Sequence, residues 1–132
     1  MAKKRREPDY ALNIFPYYHE ETKREVMVFL VETTKIFVSF RYEILLEDQV
    51  EGRTITLRIL GLHVPEILLP QTGPARGRRD FPDLHGTYTV RVVKQDKSIN
   101  DFLVEFSGPA VHFKRRPTDA FIVASADSVD LG

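Results

Sequence analysis

The side chains most able to do chemistry in this sequence are cationic and fall into three clusters: Lys3-Lys4-Arg5-Arg6, Arg76 with Arg78 and Arg79, and Lys114-Arg115-Arg116. Guanidinium groups fork onto phosphates and carboxylates, so these clusters point to anion contact. Gly73 and Gly77 beside the middle cluster would let backbone N–H groups approach a ligand, and Phe81 is spaced to stack on a base. If the fold gathers the clusters, they form one positive surface; the plainer reading is solvated charge on turns and a tail. Glu43, Glu47, Asp48 and Glu51 oppose them with an acidic turn, which makes the surface dipolar. A dipolar surface suits self-association or a protein partner as well as a polyanion.

Other chemistries find less support. The chain has no cysteine, which excludes disulfides, thiolate nucleophiles and cysteine-ligated metals. His63, His85 and His112 with Asp83 are the one plausible convergent metal set, yet they follow no recognised ligand spacing, so neither metal nor cofactor is expected. Asp83 and His85 could be drawn as half of an acid–base pair, but no serine sits in a Gly-x-Ser-x-Gly turn, and phosphate-loop and dinucleotide glycine patterns are absent. Glu20 and Glu21 are neighbours on a polar turn, where they do not flank a reacting atom from two sides. The missing catalytic set favours a binding role over an enzyme. The binding candidates are Arg76, Arg78, Arg79, Phe81, Lys114, Arg115 and Arg116.

The elements that must position these residues read as strands. Val26, Val28 and Leu30 alternate with Met27, Phe29 and Val31, both sets apolar, which marks a strand buried on two faces or facing a partner. From Ile36 to Leu46 one register is apolar, while Ser39, Arg41 and Glu43 share the other. A polar turn at 47–52 then leads into Ile55, Leu57 and Ile59, which makes a hairpin. Tyr88, Val90 and Val92, then Phe102, Val104 and Phe106, form another pair around Asp96-Lys97-Ser98. Gly108-Pro109 separates a short strand at 110–114 from a last one near 120–124. Residues 11–18 read as an edge strand because Pro16 has no N–H to give a ladder. Glu32-Thr33-Thr34-Lys35 is either a turn without the usual turn residues or a bend in one long strand.

The segment 63–85 holds Pro65, Pro70, Pro74 and Pro82 among its glycines and arginines and reads as one long loop, a candidate contact element. Its apolar piece at 64–69 suggests an arm that docks on a neighbouring subunit.

The expected fold class is all-β: an antiparallel β-sandwich, or alternatively a closed or partly open β-barrel, of about 7–8 strands. Its expected organisation is a basic tail at 1–8, a single β domain at 9–124 and a frayed tail at 125–132. At 132 residues, with 42% hydrophobic and 29% charged, the chain fits one globular domain. Nineteen basic residues balance nineteen acidic ones, which argues against a dedicated binder of bulk nucleic acid. No signal-like or membrane-spanning apolar run is present, so the expectation is a soluble cytoplasmic protein that does not engage membrane. The leading functional expectation is a non-enzymatic interaction module, a homodimer or the binder of another protein, with 63–85 as its contact element. Its alternatives are a weak RNA or polyanion binder through the arginines, and a small-ligand β-barrel or enzyme.

Overall fold

Period-two alternation builds nine β-strands among the residues that the computed structural model describes, 7–39, 42–64 and 71–131. In chain order they are β1 (Tyr10–His19), β2 (Arg24–Phe37), β3 (Glu43–Glu51), β4 (Thr54–His63), β5 (Gly73–Phe81), β6 (Gly86–Val93), β7 (Ile99–Ser107), β8 (Ala110–Arg115) and β9 (Ile122–Ser125). They form one sheet in the order β8-β7-β6-β4-β3-β5-β2-β1-β9, nearly closed into a barrel. The all-β expectation holds in its barrel form. The sheet is mixed, however, since β1/β9, β4/β6 and β3/β5 run parallel among the antiparallel pairs. Among the described residues no helix is long and apolar enough to cross a membrane.

Inward positions of successive strands fill the interior: Leu12 and Ile14, Phe29 and Val31, Ile55 and Leu57, Val90 and Val92, Phe102 and Phe106 are all nearly or fully buried. Aromatic rings organise this core. Phe29 meets Phe81 edge-on at 4.8 Å between centroids and stacks on Phe106 at 6.1 Å, and Tyr88 closes on Phe106 at 5.8 Å. Asn100, 8% exposed, is satisfied on both sides of its amide: Nδ2 donates to the Ile99 carbonyl and Oδ1 accepts the Phe121 N–H at 3.0 Å.

The turns follow local chemistry. Gly52, at φ 56°, opens the two-residue turn between β3 and β4, and Gly108, at φ 57°, does the same between β7 and β8. The first hairpin matches expectation, although the polar residues at 47–51 belong to β3 rather than to the turn. The apolar register from Ile36 to Leu46 is broken, because β2 ends at Phe37 and β3 begins at Glu43. Glu32 to Lys35 is a bend inside β2, where pairing to β5 shifts between Glu32 and Ile36. Threonine hydroxyls supply what the ladder loses there: the Ala75 N–H donates to Thr33 Oγ1 at 2.9 Å, and Thr34 Oγ1 donates to the Pro8 and Asp9 carbonyls. β1 is not a simple edge strand. β9 pairs with it from Tyr10 to Asn13, and Pro16 falls beyond that pairing, where its missing N–H costs nothing.

The largest departure concerns 63–85, which is not one long loop: residues 73–81 are β5, held between β2 and β3. Gly73, Ala75, Gly77 and Phe81 are buried while Pro74, Arg76, Arg78 and Asp80 are half-buried on the other register. Small residues face inward because space there is short. A Cβ on Gly77 would stand 2.7 Å from the Ile44 carbonyl oxygen and 2.9 Å from Leu46 Cδ1. The apolar piece at 64–69 lies, apart from Val64, outside the described residues.

The outer face of β2 is buried too, by the chain itself. Val28 and Leu30, with Phe15 of β1, form a second small core against Val26, Val129 and Leu131. Residues 126–131, which carry no regular secondary structure, therefore lie against the barrel wall.

Candidate functional site

Strand alternation splits the three arginines of β5: Arg76 and Arg78 stand outside with Asp80, whereas Arg79 shares the register of Gly77 and Phe81. Each guanidinium already holds partners. Arg76 Nε donates to Glu32 Oε2 at 2.8 Å, and its Nη1 to the Asp130 carbonyl at 3.1 Å. Arg78 forks onto Asp80 at 2.8 and 2.9 Å and lies 5.0 Å from the Tyr17 ring centroid. His19 Nε2 is 2.9 Å from the same Asp80 carboxylate. Burial would raise the Asp80 pKa, but hydrogen bonds from Arg78 and His19, with their charges, outweigh it and hold the carboxyl below its ordinary value. The bond to Asp80 in turn raises the Arg78 pKa.

Arg79 has a structural task. β3 and β5 share one bridge, Glu43 to Arg76, where the Arg76 N–H donates to the Tyr42 carbonyl at 3.3 Å. Beyond that point the Leu46 carbonyl takes the Arg79 Nη2 in place of a ladder N–H, while Nε reaches Asp48 Oδ1 at 2.8 Å. A side chain thus laces the seam that the backbone leaves open. A surface cleft of about 460 Å³ follows this seam, lined by Tyr42, Glu43, Ile44, Gln71 and residues 76–79.

The other candidates lie elsewhere. Phe81 is 7% exposed and packed on Phe29, so it is not free to stack on a base, as the sequence suggested. Lys114, Arg115 and Arg116 belong to β8 and its end: Lys114 Nζ is 3.9 Å from Glu105, Arg115 stands opposite Leu103, and Arg116 lies 4.6 Å from the Phe113 ring and donates to the Ala124 carbonyl. β7, β6, β4 and β3 separate β8 from β5 along the sheet, so those two clusters occupy opposite sides of the barrel. The cluster at 3–6 lies outside the described residues. His63 ends β4, His85 precedes β6 and His112 is exposed on β8. No group of three or more His, Asp or Glu among the described residues is arranged to hold a metal.

What sequence reading missed is an apolar rim. β2 ends, β3 begins, β4 ends and β5 begins at the same end of the barrel, as the pairs Ile36/Pro74, Glu43/Arg76 and Glu43/His63 require. Six of the eleven exposed large hydrophobic residues described cluster there: Ile36, Val38, Leu45, Leu60, Leu62 and Val64, between 44% and 77% exposed. Leu45 stands opposite Gly61, next to Leu60, and Leu62 is opposite buried Ile44 at the mouth. The mouth itself is covered by Phe37 and Tyr42, edge-on at 4.8 Å. A shift in β3–β4 pairing between Leu45 and Leu46, with Gly61 at φ 150°, turns Leu60 outward. Comparison with protein-family models, with curated proteins and with solved structures gives no match.

Proposed function

We propose that this chain is a non-enzymatic interaction module that self-associates through the apolar rim at the β2/β3/β4/β5 end of the barrel. The observation that carries the reading is the gathering of Ile36, Val38, Leu45, Leu60, Leu62 and Val64 on adjoining strands, since scattered surface apolar residues are ordinary and clustered ones mark contact sites. Two further facts support it. The interior is occupied by its own aromatic and aliphatic side chains, which disfavours a small-ligand barrel, and the β5 arginines are engaged with carboxylates, which disfavours a polyanion. The occupant is a second copy because formal net charge is zero, so copies meet without long-range repulsion, and Glu43 and Lys35, both exposed beside the rim, offer charges of both signs to each other. Of the contact element expected at 63–85, this reading uses Val64, just beyond the end of β4.

The test is sedimentation of the full chain over a range of concentrations, with Leu45→Lys and Leu60→Lys variants. A dimer whose dissociation constant rises about tenfold or more in each variant is expected, because each leucine removes roughly 1.5–3 kcal/mol of burial. A monomer at every concentration, or a dimer indifferent to both changes, contradicts the reading.

A further inference from the structure

A second surface carries its own information about what it binds. On the outer wall, Phe15, Val28 and Leu30 are at most 2% exposed, with Val129 and Leu131 lying on them beside Val26. Two flanking side chains hold that covering segment by its backbone. Asn13 Nδ2 donates to the Asp127 carbonyl at 3.2 Å, and Arg76 Nη1 donates to the Asp130 carbonyl at 3.1 Å. The apolar contacts fall two residues apart, as an extended chain requires, and the carbonyl contacts are indifferent to side-chain identity. At one end the groove is roofed by Arg78, which crosses from β5 over β2 to the Tyr17 ring on β1 and is braced by Asp80 and His19.

The covering segment is lightly held. Residues 126–131 contribute no strand to the sheet, and Val129 and Leu131 stay half-buried. Those contacts resemble a bound ligand more than an element of the sheet, and segments tied by few contacts open at small cost in free energy.

We infer that the outer groove of β1, β2 and β5 is a docking site for an extended peptide with apolar side chains at alternate positions and acidic residues between them, closed in cis by residues 126–131. The chemistry of the occupant is read from the segment seated there, Asp127-Ser128-Val129-Asp130-Leu131. Beyond its bond to Glu32, Arg76 keeps an N–H for the backbone of the segment, and apolar residues at alternate positions suit Phe15, Val28 and Leu30. This surface is distinct from the rim, so the two proposals stand or fall separately.

The experiment uses the full chain and a fluorescent peptide, Ser-Ala-Asp-Ser-Val-Asp-Leu, read by anisotropy. Val129→Asp with Leu131→Asp removes the cis competitor and leaves the groove intact. The double variant should bind the peptide about tenfold or more tightly than the unaltered chain, because a site that is open only a fraction of the time loses that factor in apparent affinity. A peptide of the same composition with Val and Leu made adjacent should not bind, and Arg76→Ala in the open variant should weaken binding severalfold. Should the double variant fold poorly, methyl NMR of the unaltered chain replaces it, with Val28 and Leu30 signals expected to shift at high peptide concentration. Equal binding by the open and closed chains overturns the inference, as do equal binding of the scrambled peptide and unmoved methyl signals. Dimerisation of the open variant beyond that of the unaltered chain, which the peptide fails to reverse, also overturns it, by putting a second copy on the groove.

Discussion

Replacing Phe29 with alanine is expected to cost about 4 kcal/mol of folding stability, the middle of the range for deleting a buried aromatic ring. Phe29 is fully buried on the central stretch of β2 and is the ring that both Phe81 and Phe106 contact. β2 and β5 are neighbours, whereas β7 approaches from across the interior, so this one side chain joins walls that the sheet order separates. Alanine leaves a cavity between Phe81 and Phe106 that β5, bonded to β2 along residues 76–81, has little freedom to fill. Urea unfolding monitored by dichroism measures the loss. Tyr18→Ala, at a residue 54% exposed, serves as the control and should stay within about 0.5 kcal/mol. A Phe29→Ala cost near the control's would mean that the interior is looser than described.

The second large effect is expected at Gly77. Alanine there places a Cβ 2.7 Å from a backbone oxygen, that of Ile44, and less than 3.0 Å from Leu46 Cδ1. A flexible side chain can retreat, but a strand backbone cannot, so β3 and β5 must separate. Separation breaks the bridge at Glu43 and pulls the Leu46 carbonyl from Arg79. The expected cost is about 3 kcal/mol, the upper part of the usual overpacking range. Gly108→Ala offers a contrast: nothing lies within 4 Å, and the penalty comes only from φ 57°, about 1 kcal/mol. Combining Gly77→Ala with Leu46→Ala should recover little, because the carbonyl clash persists. Full recovery would show that the side chain alone sets the fit at this seam.

The uneven legibility of the sequence has physical causes. The hairpin at Gly52 was readable because a turn needing positive φ and flanking alternation coincide within a few residues. β5 was not, because its inward register is Gly, Ala, Gly and Arg, with apolar bulk only at Phe81, and a strand that packs against a close neighbour discards the apolar signal that period-two reading needs. The same closeness explains Gly77. The arginines were visible as a cluster, but two of their carboxylate partners are far along the chain, Glu32 by 44 residues from Arg76 and Asp48 by 31 from Arg79, so that neutralisation could not be seen without the sheet order; only the Arg78–Asp80 pair is local. The two-faced apolar strand at 26–31 did announce a second contact; that residues 129 and 131 supply it depends on tertiary placement alone. The rim depends on where four strand ends meet, which no local pattern encodes.

Amide hydrogen exchange at a low and a high concentration of the unaltered chain addresses self-association most directly, because it reports both whether copies meet and where. Protection should rise with concentration at 35–39, 43–46 and 60–64, and stay constant on β7 and β8. Protection that is the same at both concentrations, or that rises on another part of the barrel, would contradict the rim as the contact between copies.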